Sequence, residues 1–325
     1  MDIKKRSTNF GAALILFAVF LRLVGLLPIA AHSLRQPPTT GPHWSKGPQN
    51  ILSAVQTLPW EPTQPPVPSA PTGPDFGPEE LALVRLRYAS DCALRADLEA
   101  LLYQPLEWSL CKEAPTVLIL HSHTTESYTL TDGRQDPSWD SYRSLSAHEN
   151  MVAVGTQLAK MLEAGGIRVI HDQRLHDHPQ YDAAYANSRR AAEEYLQQYP
   201  SLLLVLDLHR DAALNPDGSQ YATAAWVDGR RSAQLMLVMG SGQYAWEENL
   251  SLGLKLQVVL ETLAPGITRP TVLRAQGFNQ DLLPGAVLVE VGTAGNTLEE
   301  ALLAVSVLAE AILALAPGTT GSSTS

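Results

Sequence analysis

The sequence is short of cysteine and of positive charge, and each shortage excludes classes of function. Its 325 residues include 2 Cys, and 23 Lys and Arg stand against 33 Asp and Glu, a net charge of -10. Because nucleic-acid binding needs a basic face to neutralise phosphates, no nucleic-acid partner is expected. Cys92 and Cys111 are too few for a disulfide framework or a zinc ribbon, and whether they pair or stay free is open. Any metal must therefore be held by histidine and carboxylate.

The sequence also lacks the glycine patterns of nucleotide-binding loops. The stretch from Gly292 to Gly295 follows a predicted strand, but it has no phosphate-loop lysine and is interpreted as a turn. Ser122 and Ser127 lie among histidines without the glycines of a nucleophile elbow, which disfavours a serine hydrolase. Composition alone does not exclude that alternative.

The N-terminus has the pattern of a membrane-targeting segment. Residues 10–31 are apolar apart from Arg22 and follow Lys4-Lys5-Arg6. At ~1.5 Å per residue the run is long enough for a bilayer core of ~30 Å. The basic flank predicts a cytoplasmic tail over residues 1–9 and an extracytoplasmic location for the rest. A cleaved signal peptide is the alternative, but the length of the run favours an uncleaved anchor.

Composition divides the rest of the chain into three parts. Residues 32–78 are rich in proline, which predicts a semi-rigid linker. Residues 79–317 form the predicted folded domain, and residues 318–325 a flexible tail of small residues.

The folded domain alternates between predicted strands and helices. Nearly continuous apolar runs predict buried strands at 116–121, 202–208 and 286–291. Helical periodicity predicts helices at 79–105, 148–164, 181–198, 249–263 and 298–315. This alternation is typical of an α/β domain with a mostly parallel sheet flanked by helices.

Three polar clusters follow or end predicted strands. The first is His121-Ser-His123-Thr-Thr-Glu126, the second is Asp207-Leu-His209-Arg-Asp211, and the third is Glu290-Val-Gly292. A single histidine at a strand end is more often structural than functional. Because ligands bind at the carboxyl ends of parallel strands, the three clusters together predict one site at one edge of the sheet.

Zinc suits the residue types in these clusters. Catalytic zinc commonly takes two His and one carboxylate and leaves a position for water, whose pKa falls to ~7. A nearby glutamate such as Glu290 can accept the water's proton. From the residues alone, the carboxylate ligand is either Glu126 or Glu149. The cluster of His171, His176 and His178 is interpreted as a solvated loop.

Four motifs in order give the domain a family resemblance. It resembles the stage II sporulation protein P family over roughly residues 80–316, on Leu120-His-Ser-His-Thr-Thr-Glu-Ser-Tyr128, Asp207-Leu-His-Arg-Asp211, Gly277-Phe-Asn-Gln-Asp281 and the stretch from Leu288 to Ala301. The family is similar to zinc-dependent N-acetylmuramoyl-L-alanine amidases. The resemblance implies a peptidoglycan hydrolase, with peptide-cleaving activity on cross-links as well. It also implies a role in forespore engulfment, beside a glycan-cleaving partner (stage II sporulation protein D) and a membrane partner (protein M).

The resemblance also implies roles for individual residues. Carried over motif by motif, it makes His123, Glu149 and His209 the zinc ligands and Glu290 the general base. His121, Glu126, Arg210 and Asn279 then become substrate-binding residues or supports of the ligands, with Arg210 suited to a substrate carboxylate. A non-catalytic wall-binding protein on the same fold is the alternative.

Overall fold

The computed structural model describes residues 74–106, 108–131 and 142–316. The predicted cytoplasmic tail, anchor and flexible C-terminal tail lie outside these residues, as does nearly all of the predicted linker. Within the three ranges, no helix is long and apolar enough to cross a membrane.

Strands and helices alternate through most of the described chain. The helices are α1 (Pro78–Leu81), α2 (Leu98–Tyr103), α3 (Met151–Ala164), α4 (Ala184–Gln198), α5 (Trp246–Leu263) and α6 (Leu298–Leu315). The strands are β1 (Leu86–Tyr88), β2 (Val117–Leu120), β3 (Val169–His171), β4 (Leu204–Asp211), β5 (Ala225–Val227), β6 (Arg230–Ser232), β7 (Leu235–Gly240), β8 (Thr271–Arg274) and β9 (Ala286–Thr293).

The main sheet has seven strands in the order β1-β8-β7-β9-β4-β2-β3. All neighbouring strands are parallel except β7 and β9, so the predicted mostly parallel α/β fold is confirmed. The sequence did not predict the reversal at β7. Its consequence is that β9, β4, β2 and β3 point the same way, so their carboxyl ends share one edge.

The two faces of the sheet are covered differently. Leu206 and Leu208 of β4 pack into the larger core, with side chains of α3, α5 and α6. Successive side chains of a strand point to opposite faces, so Asp207 and His209 lie on the other face. There, α4 packs on Leu118, Leu120 and Val205. The polar side chains of β4 are thus directed towards α4.

The prediction of a helix over residues 79–105 is wrong. The segment contains α1, the strand β1 and then α2. Leu86 and Tyr88 are half-buried while Arg87 is exposed, an alternation that suits an edge strand paired with β8. Helix α2 begins only after Asp97, whose side chain accepts a hydrogen bond from the backbone N–H of Ala100. Both cysteines are free thiols, with Cys92 buried.

A lysine is buried where α2 packs on α5. Lys255 is 1% exposed, and its ammonium donates to the carbonyl of Leu101 at 2.9 Å and to Ser251 Oγ at 2.7 Å. The carbonyl belongs to the last turn of α2, where a cation is favoured by the helix dipole. Burial nevertheless lowers the pKa of Lys255 from 10.5 to about 8.

We expect Lys255→Met to change how stability depends on pH. Between the folded pKa of about 8 and the unfolded value of 10.5, the unfolded chain holds a proton that the folded chain has released. The unfolding free energy of the wild type therefore rises through this window relative to that of the variant. Thermal melts at pH 7 and pH 10 measure the difference in Tm, with Lys160→Met at an exposed position as the control. A difference that does not change with pH contradicts the burial of this charge.

Candidate active site

The predicted site residues lie at the edge where β2, β4 and β9 end. Strand β2 ends at Leu120, while β4 and β9 continue beyond it. His209 of β4 is the direct register partner of Glu290 of β9, so both side chains point to the face covered by α4. The loop after β2 brings His123 to the same place, with its ring centroid 5.4 Å from that of His209 and the rings nearly perpendicular. The predicted convergence of the three clusters is therefore observed.

Carboxylates surround His209, whose residue is 3% exposed. Its Nε2 lies 3.0 Å from Asp207 Oδ1, and its Nδ1 lies 3.6 Å from Glu126 Oε2. Burial opposes a charge on the ring, but Asp207, Glu126 and Glu290 outweigh it and raise the pKa of His209 to about 10. The site thus attracts positive charge.

Burial also shifts the pKa values of His123 and Glu290, and in both residues the shift favours the neutral form. Burial lowers the pKa of His123 and keeps its ring neutral. Burial, with help from the nearby charge of Glu126, raises the pKa of Glu290 to about 8, although His209 opposes the shift. A cation placed beside Glu290 would reverse that shift, because an opposite charge favours the ionised form.

Three atoms of the site fit a bound cation. His123 Nδ1, His209 Nε2 and Glu290 Oε2 are buried without a hydrogen-bond partner, three of five such side-chain atoms among the described residues. The nearest charged group to His209 Nε2 among its ion pairs is Asp207, with Oδ1 at 3.0 Å. Each unsatisfied buried atom costs ~1–3 kcal/mol. Two imidazoles and nearby carboxylates are donors that zinc accepts.

A third ligand for the predicted metal is not in place. In the part of the chain that the structure describes, no three His, Cys, Asp or Glu side chains are close enough together to hold a metal ion. Glu126 Oε2 lies 3.6 Å from His209 Nδ1 and accepts from the backbone N–H of Arg210. Glu149 accepts from Ser144 Oγ at 2.9 Å. Its assignment stays a prediction.

The helix after Glu149 begins later than the sequence predicts. Asn150 is the N-cap of α3, with its side chain accepting from the backbone N–H of Val152, and the first helical residue is Met151. Glu149 therefore precedes the cap and does not lie in the first turn. Its position next to the cap is still near the positive end of the helix dipole.

Arg210 supports the loop over the site. Its Nε donates to the carbonyl of Ser127 at 3.1 Å, and its Nη2 donates to that of Tyr142 at 2.8 Å. The guanidinium also lies 3.7 Å from Glu126. A buried guanidinium with these partners fits the supporting alternative of the prediction, not the binding of a substrate carboxylate.

Asn279 is likewise a tether. Its side-chain amide donates to the carbonyl of Tyr185 at 2.9 Å and to Ser188 Oγ at 3.2 Å. Asp281, two residues later, accepts two hydrogen bonds from the guanidinium of Arg189, both at 2.8 Å. The motif that begins at Gly277 thus ties its loop to α4.

His121 is turned away from His123 and His209. It is fully buried, its Nδ1 lies 3.2 Å from the carbonyl of Leu208, and its Nε2 lies 2.9 Å from His171 Nε2. Strand β2 has ended by this point, so the ring of His121 replaces β2 as the partner of that carbonyl. Burial lowers the pKa of His121 to about 3 and that of His171 to about 4, so both rings are neutral.

The contact between His121 and His171 requires a glycine on α3. A Cβ at Gly155 would lie 2.4 Å from His171 Nε2 and 2.6 Å from His121 Nε2.

We expect Gly155→Ala to lower the unfolding free energy by about 1–3 kcal/mol, as overpacking does. Chemical denaturation checks this, with Thr156→Ala on the exposed face of α3 as the control. A stabilised Gly155→Ala variant, which helix propensity alone would favour, would contradict the packing.

The arrangement around Ser122 disfavours the serine-hydrolase alternative. Its hydroxyl donates to Asp207 Oδ2 at 2.6 Å, and its backbone N–H donates to Oδ1 at 2.8 Å. Asp207 therefore stands between Ser122 and His209, whereas a catalytic triad places the histidine between serine and aspartate. Ser122 is also completely buried.

The polar loop after β3 is solvated only in part: His178 is exposed, as the sequence predicts, but the polar residues before it are mostly not. Asp172, His176 and Asp177 are each at most 5% exposed. His176 Nε2 lies 3.1 Å from Asp172 Oδ2. Asp177 accepts hydrogen bonds from Thr125 and Arg143. The local pattern shows only hydrophilic residues, because their partners come from other parts of the chain.

Two tyrosines of the site carry no signal in the sequence. Tyr181 stacks on His123, with centroids 4.6 Å apart and an interplanar angle of 14°. Tyr185, one helical turn later, is near both His123 and His209. Their spacing of four residues predicts that both lie on one face of the predicted helix over residues 181–198. Nothing in the sequence, however, places that face over the site.

An open cleft of about 500 Å³ lies next to two residues, Tyr181 and Asp177, that are close to His123. Tyr181 and Asp177 form one part of its lining, and Thr125 and Arg143 form another. Leu145 is 57% exposed there and adds an apolar patch. The cleft therefore presents aromatic, apolar and charged groups close to His123.

Comparison with known proteins identifies the family. The family model described as Stage II sporulation protein P (SpoIIP) matches residues 79–313. The chain belongs to this family. A curated relative, stage II sporulation protein P of Bacillus subtilis (strain 168), is 30% identical over 196 residues, which cover 57% of this chain and 47% of the relative. The chain thus matches about half the length of that relative.

Solved structures of amidases are similar to the fold at a low level. The CwlD amidase from Clostridioides difficile in complex with the GerS lipoprotein has a TM-score of 0.39 and 12% identity, over 62% of this chain and 95% of that one. The N-acetylmuramyl-L-alanine amidase Ami1 from Mycobacterium smegmatis has a TM-score of 0.38 and 17% identity, over 63% and 97%.

Proposed function

We propose that this member of the stage II sporulation protein P family is a membrane-anchored, zinc-dependent peptidoglycan hydrolase. Its main activity is that of an N-acetylmuramoyl-L-alanine amidase, with cleavage of peptide cross-links as a second activity. The observation that carries the proposal is the meeting of His123, His209 and Glu290 at one sheet edge, each with a buried atom lacking a partner.

The proposal assigns the zinc to residues of three elements. His123 follows β2, His209 lies in β4, and the carboxylate ligand is Glu149 before α3, with Glu126 as the alternative. When bound, zinc supplies a Lewis acid that polarises a carbonyl and lowers the pKa of water. Asp207 and Arg210 then act as supports, because they hold the Ser122 and Ser127 backbone on either side of His123.

Glu290 moves the proton in the proposed reaction. Its carboxylate takes a proton from the attacking water as the water oxygen bonds to the carbonyl carbon of the amide. The proton then passes to the leaving nitrogen as the carbon–nitrogen bond breaks, which gives a lactyl carboxylic acid on the glycan and a free amine on the stem peptide. A positioned acid–base group of this kind contributes about 10²–10⁴-fold to the rate.

The location and partners are part of the same proposal. An anchor over residues 10–31 would hold the domain on the extracytoplasmic side of the septal or engulfing membrane, where its substrate lies. Stage II sporulation protein D, as the glycan-cleaving enzyme, and protein M, as the membrane protein, are the proposed partners.

Digestion of purified peptidoglycan tests the proposed reaction. We expect the full chain with zinc to release stem peptides that mass spectrometry identifies by their new amino termini, and a chelator to stop the release. Glu290→Gln should lose at least ~100-fold in turnover, because the neutral amide cannot accept the proton. Glu310→Gln, on the exposed side of α6, is the matched control.

The same digestion separates the alternatives. Full turnover by Glu290→Gln would remove Glu290 from the mechanism. Absence of any product, with wall binding retained, would favour a non-catalytic wall-binding protein. Labelling of Ser122 or Ser127 by a fluorophosphonate probe would favour a serine hydrolase.

Zinc affinity should rise with pH. His209 must lose the proton that its pKa of about 10 retains, whereas His123 is already neutral. Each proton released gives about a tenfold gain in affinity per pH unit, so the proton of His209 alone gives about 100-fold between pH 6 and pH 8, and release of the proton of Glu290 would add to this gain. Calorimetry in two buffers with different ionisation enthalpies should show the released proton, and His209→Ala should abolish binding. An affinity independent of pH contradicts the charged state of His209.

A further inference from the structure

Tyr185 lies beside both histidines of the site. Its ring is edge-on to His123 at a centroid distance of 5.6 Å and an angle of 88°. It is nearly parallel to the ring of His209, at 6.2 Å and 19°. The residue occupies the start of α4, the helix that covers the face on which His209 and Glu290 lie. The side chain is thus part of the wall of the site.

The loop that begins at Gly277 fixes the position of Tyr185. The side-chain amide of Asn279 donates to the carbonyl of Tyr185, and the ring of Phe278 lies 6.2 Å from the ring of Tyr185. Phe278 and Asn279 have φ angles of 50° and 57°, in the left-handed region that a phenylalanine seldom adopts. Such backbone strain is found mostly where the surrounding structure over-determines it, often at functional sites.

The hydroxyl of Tyr185 has a proton to donate and no described acceptor. Among the described residues, none accepts a hydrogen bond from it. Its electrostatic neighbours are Asp207, Glu290 and Glu126, the carboxylates around the histidines. A phenol has an ordinary pKa near 10 and is protonated at neutral pH. The hydroxyl is therefore a neutral donor in the acidic part of the site.

We propose that Tyr185 is a catalytic residue that donates a hydrogen bond to the oxyanion formed when water attacks the substrate amide. The inference rests on the proposed hydrolase function. As the water oxygen bonds to the carbonyl carbon, the electron pair of the carbonyl π bond moves onto the carbonyl oxygen, and Glu290 takes the proton of the water. The phenol keeps its own proton and stabilises the oxygen's new charge until the carbon–nitrogen bond breaks. Preorganised donors of this kind contribute about 10²–10³-fold.

Tyr181 is a weaker candidate for this role. Its ring stacks on the outer side of His123, the residue is 50% exposed, and the guanidinium of Arg143 lies 4.5 Å from the ring centroid. Its place in the lining of the cleft, beside Arg143, suits contact with bound substrate more than contact with the reacting carbonyl.

The test replaces the hydroxyl and keeps the ring. We expect Tyr185→Phe to lower kcat on peptidoglycan fragments by about 100-fold, with KM changed less than about threefold. Its zinc content and Tm should match those of the wild type, because the ring contacts with His123 and His209 remain. Tyr195→Phe, on the same helix beside Arg174, is the matched control.

A binding measurement gives a second readout. A phosphinate analogue of the amide has a tetrahedral centre with charged oxygens, and calorimetry should show its affinity about 100-fold weaker in Tyr185→Phe. Affinity for uncleaved fragments, measured in a Glu290→Gln background, should not change. A lower kcat with unchanged phosphinate affinity would make the effect structural and overturn the inference.

Two experimental results distinguish a wrong role for Tyr185 from a wrong proposed function. A wild-type chain that is active, with Tyr185→Phe equally active, overturns the role of Tyr185 alone. A zinc-loaded wild-type chain that releases no product overturns the proposed function, and the role of Tyr185 falls with it.

Discussion

The register of β4 against β9 is the constraint on which the site depends. It places His209 directly opposite Glu290, and a slip of one residue would turn one of the two side chains to the other face. The apolar face of both strands resists such a slip, since Leu208 and Val289 would leave the large core. The antiparallel pairing of β9 with β7, which sets Met236 beside Glu290, fixes the register from the other side.

Two buried asparagines hold the ends of β9. At the start, Asn249 Oδ1 accepts from the backbone N–H groups of Gly285 and Ala286, at 2.7 and 3.1 Å. At the end, Asn296 Oδ1 accepts from the N–H of Thr293 at 3.0 Å, while its amide donates to the carbonyl of Thr223. Loss of either side chain would leave buried backbone groups unpaired, at ~1–3 kcal/mol each. The turn after Glu290 is thus part of what positions the carboxylate.

The sequence reveals those parts of the fold and site that depend on local pattern. Strands β2, β4 and β9 are apolar runs that end in polar residues, and parallel order then predicts that His123, His209 and Glu290 meet. The reversal at β7 and the strand β1 have no such signal, because their pairing depends on partners far along the chain. The burial of Asp177 and the placement of Tyr185 over the histidines likewise depend on tertiary contacts that periodicity does not report.

The balance of charge connects the groups around His209. Asp207, Glu126 and Glu290 lie around His209. The nearby cations already have partners, because Arg143 donates to Asp177 and Arg210 donates to the carbonyl of Ser127. The acidic groups therefore exceed the fixed positive charge, and the surplus keeps a proton on His209. Burial, with help from Glu126, raises the pKa of Glu290. A divalent cation would replace that proton and restore the carboxylate of Glu290, so metal binding would both stabilise the fold and generate the base. In such a site a neutral donor like Tyr185 can face the reacting carbonyl without competing for the metal's place.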